Sequence, residues 1–498
     1  MTVDAEVGIV GAGFGGLVAA VHLQEAGQRS FILFERAAGV GGTWRENVYP
    51  GCACDVPSHL YSVAAVPNPN WNHSYARQPE ILAYLEKLVQ QRGLAEHIRY
   101  NSDIVEAVFL PAAGCWRVTD RSGRQTTVRL LLLAMGPLNR PNIPTFPGLD
   151  SFAGKVFHSS RWDTTYDLSG KRVAVVGTGA SAIQIVPSIA PVVGQLTVYQ
   201  RSAAWVTPRN SRAITSLERQ LFRRVPLAQR LWREGIYWLR ELIGLSFLGN
   251  DTIHRLATRQ ALQKLDQEVH DPDTRRKLTP DYKLGCKRIL VSDEYLPTFN
   301  RPNVHLETGS ITRITPTGIV TADGQEHPTD VLILSTGFVA ADIDFYTRII
   351  GPEGQSLVDE WRETGAEAYR GTTVAGFPNL CLVLGPNTGL GHTSVVHMME
   401  SQMNYINGYL NLMQQAPAPA YLDLKPAVQQ AYNADLHKAL EKTVWTSGCQ
   451  SWYQNARGRN TTLYPGLTVR FRRETRRIDP QEYVRVGAAA QPLQAEPA

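Results

Sequence analysis

A glycine-rich turn of the pattern G-x-G-x-x-G/A occurs twice in this chain, each time between an apolar run and a helical pattern. The first copy follows Val7–Val10 and comprises Gly11, Gly13 and Gly16. The second copy follows Arg172–Val176 and comprises Gly177, Gly179 and Ala182. In a strand–turn–helix unit, the first glycine makes the turn, the second admits a pyrophosphate, and the third lets helix and strand pack closely. The sequence therefore predicts an α/β chain with two Rossmann-like dinucleotide-binding domains.

The residue that ends the next strand differs between the two copies. Glu35 and Arg201 each stand 22 positions after the middle glycine of their copy. A carboxylate at this place accepts hydrogen bonds from a ribose diol, whereas an arginine suits a ribose 2′-phosphate. We therefore expect FAD in the first domain and NADPH in the second, which makes a redox enzyme. Because glycine-rich turns also arise from packing alone, a purely structural role remains the alternative for each copy.

Composition changes along the chain predict where the domains begin and end. The FAD-binding domain is predicted at 1–139 and 338–498, the NADPH-binding domain at 152–208 and 284–337, and a proline-rich linker at 140–151. Residues 209–283 have helical spacing and form a predicted helical insertion. Its amphipathic stretch 229–248 fits either a wall of an apolar substrate pocket, which we favour, or a helix on a membrane. The tail 487–498 is predicted to be disordered.

Charge and cysteine usage exclude several classes of protein. The net charge of +5 is spread along the chain without a basic run, so no nucleic-acid partner is expected. The first predicted strand begins too early for a signal peptide, and no run of eighteen apolar residues predicts a membrane span. The six cysteines are scattered and give no metal site. We expect a reduced, cytoplasmic protein, not associated with membranes, that is a monomer or weak homodimer.

Two further segments carry recognisable signatures. Gly41–Asp55 fits the pattern [AG]GxWxxxx[FY]P[GM]xxxD, and Phe152–Asp163 fits FxGxxxHxxxW[PD]. Together they resemble the signatures of type I Baeyer–Villiger monooxygenases. The resemblance implies that NADPH reduces FAD, that O₂ then gives a C4a-peroxyflavin, and that this species converts a ketone into an ester or lactone. The alternatives are a flavin monooxygenase that oxidises sulfur or nitrogen, and a binding protein that senses nucleotides.

The resemblance also assigns roles to residues of this sequence. Arg288, in Gly285-Cys286-Lys287-Arg288, is implied as the catalytic arginine, with Asp55 as the carboxylate that positions it. The implied FAD contacts are Gly11, Gly13, Gly15, Gly16, Glu35, Thr43, Trp44, Asp55, Tyr61 and Ile104. The implied NADPH contacts are Gly177, Thr178, Gly179, Ala180, Ser181, Gln184, Arg201, Ser202, Lys287, Arg288 and Trp452.

Three assignments keep an alternative. Trp452 is expected to hold the nicotinamide side of the coenzyme, or else to be a buried core residue. His158 is expected to couple the domains rather than to act in acid–base catalysis. The segment Gly385–His392 departs from members that act on cyclohexanone or phenylacetone. It is closer to the branch that oxidises acyclic and aryl ketones, which resembles 4-hydroxyacetophenone monooxygenase.

Overall fold

The computed structural model describes residues 3–339, 348–415, 419–455 and 457–487. The predicted disordered tail lies, beyond residue 487, outside the described residues. The first part of the chain forms most of one sheet and the helices beside it. Its elements are β1 (Ala5–Val10), α1 (Phe14–Glu25), β2 (Phe31–Phe34), α2 (Thr43–Glu46), α3 (Gln78–Gln91), β3 (Ile98–Arg99), β4 (Ile104–Leu110), β5 (Cys115–Asp120) and β6 (Gln125–Leu133).

The middle of the chain forms a second sheet and the insertion. Its strands are β7 (Lys155–His158), β8 (Arg172–Val176), β9 (Gln195–Tyr199), β10 (Val206–Thr207), β11 (Leu290–Val291), β12 (Val304–Glu307), β13 (Ile311–Ile314), β14 (Gly318–Thr321), β15 (Glu326–Pro328) and β16 (Val331–Leu334). Its helices are α4 (Ala182–Ile189), α5 (Ser216–Arg224), α6 (Pro226–Gly244), α7 (Asp251–Glu268), α8 (Pro272–Lys277) and α9 (Tyr295–Thr298). Helices α5 to α8 occupy the stretch predicted as a helical insertion.

The last part of the chain returns to the first sheet. Its elements are β17 (Arg348–Ile350), α10 (Leu357–Thr364), β18 (Leu380–Leu382), α11 (Val395–Gln414), β19 (Tyr421–Leu424), α12 (Pro426–Leu440), α13 (Thr468–Glu474) and β20 (Tyr483–Val486). Strand β18 pairs in parallel with the end of β6, and α11 packs on α1. Short 3-10 helices lie at Ala95–His97, Leu149–Ser151, Ser159–Arg161, Val444–Thr446 and Pro480–Glu482.

Both nucleotide units are built around a central parallel strand. In the first sheet β1 lies between β6 and β2, and in the second sheet β8 lies between β9 and β16. Both strands are short apolar runs, which suits strands that are covered on both faces. Ligands of open α/β sheets bind beyond the carboxyl ends of such strands, and each glycine-rich turn begins there. The predicted α/β fold class with two Rossmann-like units is confirmed.

Two expectations fail in this structure. The cysteines are not all reduced, because Cys286 and Cys449 form a disulfide with a Cα–Cα distance of 6.2 Å. No local sequence pattern predicts this disulfide, because the two cysteines are 163 positions apart. The favoured pocket-wall interpretation of 229–248 also fails for Leu231, Trp238 and Leu242, which are exposed, whereas Phe247 of the same stretch is buried. Among the described residues, no helix is long and apolar enough to cross a bilayer, and no cluster of potential ligands could hold a metal ion.

Candidate active site

The first glycine-rich turn is shaped by contacts that only glycine allows. Gly11 has φ +101°, and a Cβ there would lie 2.7 Å from the Ala134 carbonyl oxygen. A Cβ on Gly16 would overlap with the carbonyl oxygen of Gly11, so this glycine lets α1 pack on the turn. Gly13 is the N-cap of α1 and supplies no side-chain acceptor. The amide groups at the start of α1 are therefore available to a phosphate, as FAD requires.

Glu35 lies at the end of β2 and holds the same turn. Its Oε2 accepts a hydrogen bond from the Ala12 amide at 2.8 Å, and its Oε1 accepts one from the Ala37 amide at 2.9 Å. The residue is 6% exposed, so these bonds replace the water that a buried carboxylate loses. A carboxylate fixed in this way beside the turn is placed to meet a ribose diol.

An aromatic group covers the start of α1. Trp44 Nε1 donates to the Tyr61 hydroxyl at 3.0 Å, and the Tyr61 ring packs on Phe14 at 4.9 Å between centroids. Gly42 faces Gly13, whose Cα would lie 3.0 Å from a Cβ on Gly42. The first signature is thus folded against the first glycine-rich turn, and both can contribute to one FAD site.

The other implied FAD contacts have different surroundings. Thr43 is exposed at the start of α2, and a Cβ on Gly15 would make an ordinary contact with Val383 at 3.4 Å. Ile104 is buried in a core cluster with Val10 and Phe34. Its side chain packs in the core, and its contact with the adenine stays a prediction.

The second glycine-rich turn has an open cradle. Gly177 has φ +110°, and a Cβ there would overlap with the Ser335 carbonyl oxygen. A Cβ on Gly179 would meet nothing within 4 Å. Ala182 is fully buried at the start of α4, and Ala180 and Ser181 lie between these positions. The turn can therefore accept a pyrophosphate at the N-terminus of α4.

Four residues predicted to contact NADPH lie together beside this turn. Lys287 Nζ donates to Ser202 Oγ at 2.9 Å, and Thr178 Oγ1 donates to the Ser202 carbonyl oxygen at 3.0 Å. Burial lowers the pKa of Lys287, and the positive charge of Arg201 lowers it further. The positive charges of Lys287 and Arg201 repel each other, and a dianionic group bound between them would relieve that repulsion. The cluster therefore fits a ribose 2′-phosphate.

Arg288 and Asp55 form an ion pair, as the resemblance implies. Arg288 Nη2 lies 2.5 Å from Asp55 Oδ2, and the two side chains are 37% and 26% exposed. Burial alone would raise the pKa of Asp55, but the charge and hydrogen bond of Arg288, together with the charge of Arg209, hold it below its usual range. Asp55 in turn raises the pKa of Arg288. The pair is therefore ionised and offers a fixed positive charge.

Gln184 joins the two nucleotide units. Its amide side chain donates to the Ala53 carbonyl oxygen at 3.0 Å and accepts from the Ala53 amide and the Tyr49 hydroxyl, both at 3.2 Å. A Cβ on Gly51, where φ is +79°, would collide with Ser188 and lie 2.6 Å from the Gln184 carbonyl oxygen. The first signature therefore rests directly on α4. Sequence reasoning missed this role of Gly51, although the glycine lies within the signature.

Tyr453 is a further residue that sequence reasoning missed. It is buried, which raises the pKa of its phenol, and it lies close enough to Arg288 for the two groups to interact electrostatically. The adjacent Trp452 is 38% exposed and packs on Tyr453 with ring centroids 4.6 Å apart. The alternative of a buried core tryptophan is therefore wrong for Trp452 and describes Tyr453 instead. The Cys286–Cys449 disulfide ties this segment to the one that carries Lys287 and Arg288.

His158 lies where the chain crosses between the units. Its Nδ1 accepts from the Ser160 amide at 3.2 Å, which leaves Nε2 to donate to the Gly337 carbonyl oxygen at 3.0 Å. Burial lowers its pKa. The backbone amide of Asn142 also donates to the Gly337 carbonyl oxygen. The two segments that cross between the units, around residues 142 and 337, are therefore held together here. These contacts favour the coupling role over acid–base catalysis, which stays a prediction.

The comparisons with known proteins agree with this geometry. The model of the flavin-binding monooxygenase-like family matches residues 4–350. The chain belongs to this family. A Baeyer–Villiger monooxygenase of Streptomyces coelicolor is 46% identical over 96% of this chain and 92% of its own length. One of Pseudomonas aeruginosa is also 46% identical, over 96% and 91%.

Several solved structures are similar along nearly the whole chain. The closed structure of cyclohexanone monooxygenase has a TM-score of 0.86 at 27% identity and covers 98% of this chain and 100% of its own. The oxidised steroid monooxygenase bound to NADP has a TM-score of 0.84 at 30% identity, covering 95% and 97%. OTEMO in complex with FAD and NADP has a TM-score of 0.84 at 28% identity, with the same coverage. The predicted Baeyer–Villiger family and its use of FAD and NADPH are confirmed, whereas the acyclic- and aryl-ketone branch stays a prediction.

Proposed function

We propose that this protein uses FAD, NADPH and O₂ to insert an oxygen atom beside the carbonyl of a ketone, giving an ester or lactone. The Arg288–Asp55 ion pair is the observation that carries the proposal. It lies where the first signature meets the NADPH-binding unit, one residue from Lys287 in the proposed 2′-phosphate site. One short segment thus serves both the coenzyme and the reacting oxygen atoms.

When it is bound, FAD would accept hydride from NADPH and activate O₂. The protein has to bind and orient the reactants and stabilise the negative charge that develops on oxygen. Arg288 suits the last task because a guanidinium keeps its proton throughout the pH range of proteins. Asp55 fixes the direction of that guanidinium, which makes it a positioning residue. Gln184, on α4, holds the loop that precedes Asp55.

The substrate class is the finer part of the proposal. We assign acyclic or aryl ketones on the strength of Gly385–His392, which departs from the sequence of the cyclic-ketone enzymes. This segment is held by Asn387, whose side chain donates to the carbonyl oxygens of Asn460 and Leu463 at 2.9 and 3.0 Å. A Cβ on Gly391 would make ordinary contacts with Phe247 at 3.4 Å and Trp445 at 3.5 Å, so the segment borders this aromatic pair. A panel of acyclic, aryl and cyclic ketones, followed by product analysis, tests the assignment.

The Arg288→Ala variant tests the proposed function. Removal of a charge aimed at a developing oxyanion typically costs about 3–4 kcal/mol, a factor of 10² to 10³ in rate. The variant should keep its FAD and form at least a hundredfold less ester, while any remaining NADPH oxidation yields hydrogen peroxide. Ester by gas chromatography, NADPH loss at 340 nm and a peroxide assay give the three readings. Asp55→Ala is the matched variant and should show a milder loss, and undiminished ester from Arg288→Ala would refute the role of Arg288.

A further inference from the structure

Helix α6 (Pro226–Gly244) has its polar and apolar faces reversed relative to an ordinary surface helix. Its buried stripe is polar and repeats every four residues: Gln229, Arg233, Tyr237 and Glu241. Gln229 donates to the Asn68 carbonyl oxygen at 2.8 Å, and Arg233 donates to that of Ser62 at 3.2 Å. The helix is therefore attached to the body of the protein by hydrogen bonds.

Glu241 is the centre of the last of these attachments. It is 2% exposed, and its Oε1 accepts from Thr468 Oγ1 at 2.6 Å and lies 3.2 Å from His392 Nε2. The hydrogen bonds and the charge of His392 lower its pKa against the effect of burial. A polar stripe that is satisfied in this way fixes which side of α6 faces the body of the protein.

The opposite side of α6 is apolar and exposed. We call apolar face the residues Leu227, Leu231, Trp232, Trp238, Leu239 and Leu242, which are 49–63% exposed. At 100° per residue they lie on one arc, which carries no charged residue within Pro226–Gly244. Helix α5, which packs on α6, adds Leu217 and Leu221, which are 75% and 48% exposed. Contiguous apolar surface of this kind marks an interaction site.

The exposed charges of α5 and α6 are mostly basic. Arg223, Arg224 and Arg230 are exposed on α5 and α6, while the only exposed carboxylate of these two helices is that of Glu234. Glu218 is paired with Arg212, and Glu241 is buried. The two tryptophans add rings of the kind that lie at the boundary between lipid headgroups and acyl chains. Apolar, aromatic and basic residues are thus exposed on the same pair of helices.

We propose that the apolar face docks on the surface of an anionic phospholipid bilayer, with α5 and α6 in the plane of the interface. The arginines would contact the headgroups while the leucines and tryptophans enter the acyl boundary. A second copy of this chain fits the face less well, because it would offer the three arginines only Glu234 as an exposed carboxylate on the same helices. The inference is independent of the proposed reaction and replaces the expectation that the protein does not associate with membranes.

Vesicle co-sedimentation of the FAD-loaded enzyme tests this proposal. We expect the enzyme to bind vesicles of phosphatidylcholine with 30% phosphatidylglycerol at least tenfold more tightly than vesicles of phosphatidylcholine alone. Binding should weaken in 0.5 M salt, because salt screens the arginines. The double variant Trp238→Glu, Leu239→Glu should bind at least tenfold more weakly while it retains its FAD and its oxidation of NADPH. Val192→Glu, an exposed apolar position outside the apolar face, is the matched control and should bind as the parent does.

Three results would overturn the proposal. The first is failure of the parent enzyme to bind the anionic vesicles, and the second is equal binding by the double variant. The third is a dimer of the parent in analytical ultracentrifugation that the double variant abolishes, because the face would then belong to a second copy. None of these results depends on which ketone the enzyme oxidises, so the proposed function is tested separately.

Discussion

Arg201 and Lys287 come from distant parts of the sequence, yet both serve one small cluster around Ser202. The lowered pKa of Lys287 shows that burial and the charge of Arg201 together disfavour its cationic form. A bound 2′-phosphate would reverse that effect by supplying negative charge between the two side chains. At the scale of the residue, coenzyme choice therefore depends on whether these charges are present.

Arg201→Ala should reduce kcat/KM for NADPH at least tenfold and leave kcat/KM for NADH nearly unchanged. A charge-assisted hydrogen bond contributes about 1.5–3 kcal/mol, and only NADPH has the phosphate that would make it. Initial rates with both coenzymes measure the effect. Arg313→Ala, an exposed arginine on β13, is the control and should alter neither value. Equal use of both coenzymes by the unaltered enzyme would show that the 2′-phosphate is not recognised and would refute this assignment.

Residue-scale features that depend on a few neighbouring positions could be predicted from the sequence. The glycine-rich turns, Glu35 and the Asp55–Arg288 pair lie in segments whose chemistry is visible locally or through the resemblance. Tyr453 could not be found in this way, because its importance comes from proximity to Arg288 in space. Ile104 is buried in a core cluster, and its contact with FAD stays a prediction.

At the scale of the element, the contact between the first signature and α4 determines how the two nucleotide units meet. Gly51 has a positive φ and no room for a side chain, because α4 passes directly over it. Helix α6 shows why such features are hard to predict. Its polar and apolar residues have the same helical period, and the sequence alone gives no reason to put the polar stripe inside.

Gly51→Ala should lower the free energy of unfolding by about 1–3 kcal/mol, because the new methyl group is overpacked against Ser188 and the Gln184 carbonyl. The displaced signature loop should also raise KM for NADPH. Thermal unfolding and steady-state kinetics measure the two effects. Gly123→Ala is the matched control, since Gly123 also has a positive φ, of +87°, but nothing within 4 Å of its Cβ position. An equal loss of stability in both variants would mean that backbone strain, not the contact with α4, is responsible.

At the scale of the whole molecule, the two nucleotide units are joined by two crossings of the backbone that lie side by side. The backbone amide of Asn142 donates to the Gly337 carbonyl oxygen, and the backbone amide of Val339 donates to the Arg140 carbonyl oxygen. His158 adds a hydrogen bond to the same carbonyl oxygen of Gly337. The Cys286–Cys449 disulfide is a third covalent connection, between the segment of Arg288 and the C-terminal part of the chain. Sequence reasoning missed it because a pairing across 163 residues leaves no local pattern.

Removal of the disulfide should destabilise the protein without unfolding it. A cross-link that closes a long loop stabilises a protein by about 2–4 kcal/mol, mainly by restricting the unfolded chain. Cys449→Ser should therefore lower Tm by several degrees, and a reductant should lower the Tm of the parent to the same value.

Titration of the unfolded, unreduced parent should find four thiols, those of Cys52, Cys54, Cys115 and Cys381. Cys449→Ser with reductant is the control and should lose no further stability. Six thiols in the unreduced parent would show that the bond does not form, and an unchanged Tm after reduction would show that it does not stabilise the fold.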